Sequence, residues 1–133
     1  MNAASGGQIL LQIASNTKAT LDSSGNLGLG VTPSAWSGQT AFQTNGGSLA
    51  TSNTSTLNLV QNGYYNGGWL RVNALAASMF QQSAGAFSFF TAGSSTAGSA
   101  ISWTQAMTLD ASGNLGVGTT SPSGKLDVNG RTY

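Results

Sequence analysis

Charge is scarce in this chain. Seven of its 133 residues are ionisable at neutral pH: Lys18, Arg71, Lys125, Arg131, Asp22, Asp110 and Asp127. A net charge of +1 supplies no electrostatic pull toward nucleic acid or an anionic membrane, so neither is expected as a partner. Cysteine is missing, which excludes a disulfide framework and a thiolate metal site. Histidine and glutamate are missing too, which removes imidazole acid–base chemistry and, with cysteine, thiol nucleophiles. No apolar run approaches the roughly 20 residues that span a bilayer. The opening Met1-Asn2-Ala3-Ala4-Ser5-Gly6-Gly7 lacks the basic and apolar regions of a secretory signal, so no export through its own N-terminus is expected.

What fills the chain instead is neutral polarity. Ser, Thr, Asn and Gln together number 53, with 19 Gly besides, a composition that suits turns and sheet surfaces and discourages long helices. Leu, Ile, Val and Phe number only 26, just under a fifth of the residues. So thin an apolar complement, without high net charge, points to copies that share one core.

One internal repeat dominates. Thr20-Leu21-Asp22-Ser23-Ser24-Gly25-Asn26-Leu27-Gly28-Leu29-Gly30 returns as Thr108-Leu109-Asp110-Ala111-Ser112-Gly113-Asn114-Leu115-Gly116-Val117-Gly118, nine of eleven positions identical. Each copy runs into a proline corner, at Pro33-Ser34 and Pro122-Ser123. Asp22 and Asp110 are expected to start tight turns, their carboxylates accepting hydrogen bonds from the backbone two residues on. Gly25 and Gly113 supply the positive φ of a short hairpin loop, beside Asn26 and Asn114. On the return strand Leu27, Leu29 and Val31 share one face, while Gly28 and Gly30 leave the other bare; Leu115, Val117, Gly116 and Gly118 repeat the scheme. A bare glycine face implies a backbone close by, and around a three-fold axis that backbone would belong to a neighbouring subunit.

Period-two alternation recurs at Ile9-Leu11-Ile13, Leu57-Leu59 and Phe87-Phe89, and along Ile101, Trp103, Met107 and Leu109, a stripe that includes the polar Gln105. Glycine-rich turns separate these runs, among them Asn45-Gly46-Gly47, Asn62-Gly63 and Asn66-Gly67-Gly68. The one helix candidate, Leu75–Phe80, has β-rich neighbours that favour a strand. The expected fold is all-β, an intertwined homotrimeric fibre of short strands and Gly-rich hairpins with little or no helix. Three segments are expected: a first repeat module at 1–34, a β-rich insert at 35–100 and a second repeat module at 101–133.

Residues Met107 to Val128 resemble a motif of bacteriophage tail-fibre and tailspike proteins: Met107-Thr108-Leu109-Asp110, Ser112-Gly113-Asn114, Leu115-Gly116-Val117-Gly118, Thr120-Ser121-Pro122-Ser123 and Lys125-Leu126-Asp127-Val128. Asn62-Gly63-Tyr64-Tyr65-Asn66 and Ala100–Met107 are similar to such fibres as well. The resemblance implies a homotrimer in the virion, assembled in the host cytoplasm. Its implied partners are other copies of the chain, other tail-fibre or baseplate proteins and a host surface glycan. In that family such segments often precede an intramolecular chaperone domain of the endosialidase type; none follows Val128 here, and whether one was removed stays open. A structural subunit or carbohydrate-binding module of a non-phage extracellular filament is the alternative.

No catalytic residue, metal site or cofactor is expected. Glycan cleavage needs two carboxyl groups about 5–10 Å apart, and Asp22 and Asp110 fall in equivalent turns of a repeat, where a structural role fits better. Gly28-Leu29-Gly30 and Gly116-Val117-Gly118 lack the helix and the Lys-Ser/Thr that a nucleotide loop requires. Trp103 reads as core, and Trp36 as the cover of a module end. Tyr64, Tyr65 and Trp69, in a stretch rich in Gly and Asn, are the candidates for receptor contact. Asp22, Gly25, Asn26, Gly28, Gly30, Asp110, Gly113, Asn114, Gly116 and Gly118 are expected in turn formation and close packing.

Overall fold

Strand follows strand along one sheet almost in chain order. The computed structural model describes residues 7–52 and 55–130; Met1–Gly6 and Arg131 lie outside them. The described residues form no helix and thirteen strands: β1 (Ile9–Ile13), β2 (Asn16–Leu21), β3 (Leu27–Leu29), β4 (Gln39–Gln43), β5 (Gly47–Ser52), β6 (Thr56–Gln61), β7 (Gly63–Tyr65), β8 (Trp69–Arg71), β9 (Ala77–Ser83), β10 (Ala86–Ala92), β11 (Thr104–Leu109), β12 (Leu115–Val117) and β13 (Leu126–Val128). Eleven make one sheet in the order β1-β2-β3-β4-β5-β6-β9-β10-β11-β12-β13, and β7-β8 is a separate hairpin. At about 4.8 Å per strand the sheet is about 48 Å long. The chain is all-β, and Leu75–Phe80 runs from a bend into β9.

Every junction is antiparallel except β3-β4 and β12-β13. Both parallel pairs follow the proline corners, which carry the chain back to start a strand in the same direction as the last. The repeat is therefore larger in space than in sequence: β1-β2-β3-β4 and β10-β11-β12-β13 share one topology. They share irregularities as well. Lys18 is the extra residue of a bulge between β1 and β2, and Ala106 of one between β10 and β11. Each bulge carbonyl accepts from a positive-φ glycine, Gly30 N–H at 2.8 Å and Gly118 N–H at 2.9 Å.

The Ala106 bulge has a consequence for faces. Met107 stands opposite Phe89 and Gln105 opposite Phe90, so the two point to opposite sides of the sheet. The stripe expected from Trp103 through Gln105 to Met107 is thus broken, and Trp103 precedes β11.

One face of the sheet is covered. Ser48, Val60 and Met79 lie along it as register partners and are buried, as are Ala41, Ala50 and Asn58 in the next row. The β7-β8 hairpin lies over this face, with the Ser48 hydroxyl donating to the Gly63 carbonyl. A Cβ on Gly63 would sit 2.9 Å from Val60 Cγ1 and 3.2 Å from Ile101 Cδ1, which is why glycine stands at the start of β7.

Candidate functional site

The repeat turns are built alike. Asp22 Oδ1 accepts from the N–H groups of Ser24 and Asn26, both at 2.9 Å, and Oδ2 from Asn26 Nδ2 at 3.0 Å. Asp110 does the same with Ser112 and Asn114. Gly25 and Gly113 have φ of 85° and 75°. The Asn114 N–H is the main cause of an Asp110 pKa below the ordinary 3.8; desolvation opposes it, and the Asn114 side chain, the Ser112 N–H and the Lys125 charge add to the lowering. All three donors stabilise the charged carboxylate. Asn26 also reaches inward: it is buried, and its Oδ1 accepts from the Ala41 N–H at 3.0 Å, tying the turn to β4.

The glycine ribbon is closed from within. A Cβ on Gly28 would lie 2.2 Å from the Val31 carbonyl oxygen and 2.9 Å from Pro33 Cδ; on Gly116 it would lie 2.7 Å from the Thr119 carbonyl oxygen. The backbone that approaches these glycines is the chain's own proline corner, which corrects the expectation of a neighbouring subunit there. Gly30 and Gly118 do not extend the ribbon either. At φ of 71° and 70° they leave the strand and turn the chain into the corner.

Each corner is fastened by a side chain that the sequence repeat does not contain. Gln43 Oε1 accepts from the Ser34 N–H at 2.7 Å and from Trp36 Nε1 at 3.0 Å. Asp127 Oδ2 accepts from the Ser123 N–H at 2.9 Å and hydroxyl at 2.8 Å, and those two bonds, the N–H first, lower its pKa below 3.8. Thus the three carboxylates all serve local turns or corners.

The opposite face of the sheet is bare. Ile9, Leu21, Leu27, Phe42, Leu49, Leu59, Phe80, Phe89, Met107, Val117 and Val128 are successive register partners, one from each strand of the large sheet. Direct partners point to the same side, so they form an unbroken apolar row along the whole sheet. Leu59 is 58% exposed at its centre, and Leu21, Leu27, Phe42, Leu49, Phe89, Val117 and Val128 are exposed as well. Leu57, Phe87, Leu109, Leu115 and Leu126 add a second row on the same face. Near the middle, Phe42, Leu49, Leu59, Phe80 and Phe89, together with Thr44, Gln61, Ser78 and Thr91, line a groove of about 730 Å³.

Tyr64, Tyr65 and Trp69 come together, but against a core. Trp36 is buried on Ala41 and Ala50, and the three pack around it half-buried. Trp36 meets Tyr64 at 6.4 Å and Trp69 at 6.2 Å between ring centroids, and Trp69 meets Tyr65 at 5.5 Å and Trp103 at 6.1 Å, all edge-on. In an edge-to-face contact one ring presents its edge and the other one of its two faces, so part of this aromatic surface is taken up by packing.

Two residues outside the expected set organise the loops beside this cluster. Arg71 is buried, and its guanidinium donates to the carbonyls of Leu75, Ala100 and Gly93 rather than to a carboxylate. Asn62, buried at φ 59°, donates to the carbonyls of Asn73, Leu75 and Ala76 and accepts from the Asn73 N–H. No motif announces them, because their partners are main-chain atoms, most of them eleven or more residues away.

No model of a known protein family matches the chain, and no curated protein matches its sequence significantly.

Proposed function

We propose that the chain is a non-enzymatic structural and adhesive segment of a phage-type tail fibre, working as a homotrimer in the virion and supporting attachment to the host surface. The observation that carries this reading is the bare apolar row. A soluble chain seldom leaves so long an apolar strip in water, and a strip of this size marks an interface. Its form favours fibre assembly: one residue per strand, straight across eleven strands, makes a long and narrow contact whose axis runs perpendicular to the strands. Three sheets turned inward along such an axis hide all their strips at once. The likeness of Met107–Val128 to fibre repeats supports three as the number.

In this reading the covered face, with its aromatic cluster and the loops held by Arg71 and Asn62, faces outward. Contact with a host glycan through Tyr64, Tyr65 and Trp69 then takes second place to packing. The same architecture would serve a filament of non-phage origin, and adsorption to a bacterial surface separates the two.

Two neighbouring substitutions test the assembly. Leu59→Asp puts a charge on the bare face and is expected to yield a folded but smaller species, whereas Val60→Asp, on the covered face, is expected to unfold the subunit. Sedimentation and circular dichroism read both. A Leu59→Asp protein that sediments like the wild type would count against the reading.

A further inference from the structure

Glycine follows asparagine at Asn45-Gly46, Asn62-Gly63, Asn66-Gly67 and Asn129-Gly130. Such a pair can react with itself. Glycine has no side chain to shield its main-chain nitrogen, so that nitrogen reaches the amide carbon of the asparagine before it. The last pair abuts Arg131, which lies outside the described residues. The structure treats the other three unequally.

Asn62 is locked. It is buried, its Nδ2 donates to the carbonyls of Asn73, Leu75 and Ala76 at 3.1, 2.9 and 3.1 Å, and its Oδ1 accepts from the Asn73 N–H at 2.7 Å. To turn toward Gly63 this amide would have to give up all four bonds. Asn66 is held in part: its side chain is exposed, but its N–H donates to the Gly68 carbonyl at 2.9 Å and it bridges to Ser37. Asn45 is open. It and Gly46 are exposed in the turn that Thr44 closes on the Gly47 carbonyl, through its N–H at 2.8 Å and its hydroxyl at 3.2 Å. Among the described residues nothing bonds the Asn45 side chain or the Gly46 N–H, and a Cβ on Gly46 would meet nothing within 4 Å.

We propose that Asn45 is a site of spontaneous deamidation in the folded protein, and that the fold withholds the same reaction from Asn62. The Gly46 nitrogen bonds to Asn45 Cγ, the Cγ–Nδ2 bond breaks, and the proton of the Gly46 N–H leaves with Nδ2 as ammonia. Water then opens the cyclic imide at either carbonyl, its hydroxyl going to carbon and its proton to nitrogen. One opening leaves aspartate; the other leaves isoaspartate, with the main chain running through the former side chain. Either product adds one negative charge, which takes a chain of net charge +1 to zero. The charge arises between Thr44 and Gly47, two residues that line the groove of the bare face, whose lining holds no charged residue. The reaction is independent of the trimer reading, because every group in it belongs to one turn of one chain.

The test incubates the whole protein in mildly alkaline buffer made with heavy-oxygen water. A second sample, unfolded in urea, runs beside it until it has reacted at both Asn45 and Asn62. Trypsin, cutting after Lys18 and Arg71, then releases the two asparagines in one peptide, whose fragments are read by mass. In the folded sample the label at Asn45 is expected to exceed that at Asn62 by at least about tenfold, since the bonds at Asn62 must break first. In urea the two are expected to converge. Gly46→Ala, for which the turn has room, is expected to slow the reaction at Asn45 several-fold with the melting temperature retained. Equal label at the two sites in the folded protein, or an unlabelled Asn45, overturns the proposal. A difference that persists in urea overturns it too, by assigning the selectivity to neighbouring residues in place of the fold, as does a Gly46→Ala protein that reacts as fast as the wild type.

Discussion

Asp127 closes the Pro122 corner as Gln43 closes the Pro33 corner, each accepting the N–H of the serine that follows the proline. The two differ in depth: Gln43 is 3% exposed and also holds the indole N–H of Trp36. Gln43→Ala strands one buried donor, the Trp36 indole N–H, and one part-buried donor, the Ser34 N–H, and is expected to cost about 2 kcal/mol. Asp127→Ala, at the surface, is expected to cost less. Urea unfolding of the two variants checks the order.

The carboxylates set an acid limit. Asp110 and Asp127 titrate below their ordinary 3.8 in the folded chain, so the unfolded chain binds more protons in that range. Their contribution is therefore complete above about pH 3.8 and fades as pH falls through the lower folded values. Melting temperatures measured from neutral pH downward should drop in that window, and the drop should shrink in Asp110→Asn/Asp127→Asn. An unchanged acid profile in the double variant would contradict the assignment.

The hairpin between β9 and β10 turns on Ala84 and Gly85, both at positive φ, 49° and 79°. Alanine is strained there, and Asn-Gly is the pair such a two-residue turn prefers. Ala84→Asn should stabilise the protein by about 0.5–1 kcal/mol, measured by thermal or urea unfolding.

The aromatic cluster is expected to act as core first. Trp69 touches Trp36, Tyr65 and Trp103, and Trp69→Ala should cost about 3 kcal/mol. If Tyr64→Ala/Tyr65→Ala/Trp69→Ala left stability intact and abolished adsorption to cells, receptor contact would replace packing as the role of the trio.

Much of this was legible in the residues. Asp22, Gly25 and Asn26 spell their turn because the bonds within it span four positions or fewer, whereas the bond from the Ala41 N–H to Asn26 was not legible. The alternation at Leu27-Gly28-Leu29 likewise fixes which residues share a face. What covers each face was not legible. Gly28 signals a close backbone, yet whether Pro33 or another subunit supplies it depends on how the corner folds back. A single bulge residue, Ala106, reverses the phase of β11 and splits a stripe that looks continuous in one dimension. The clamps at Arg71 and Asn62 leave no pattern, since any loop carbonyl could serve as their acceptor.

The native mass in dilute neutral solution tests the central claim most directly. A particle of three 13.4 kDa chains is the result expected if the bare row closes around a shared axis. A compact, cooperatively folding single chain would contradict it.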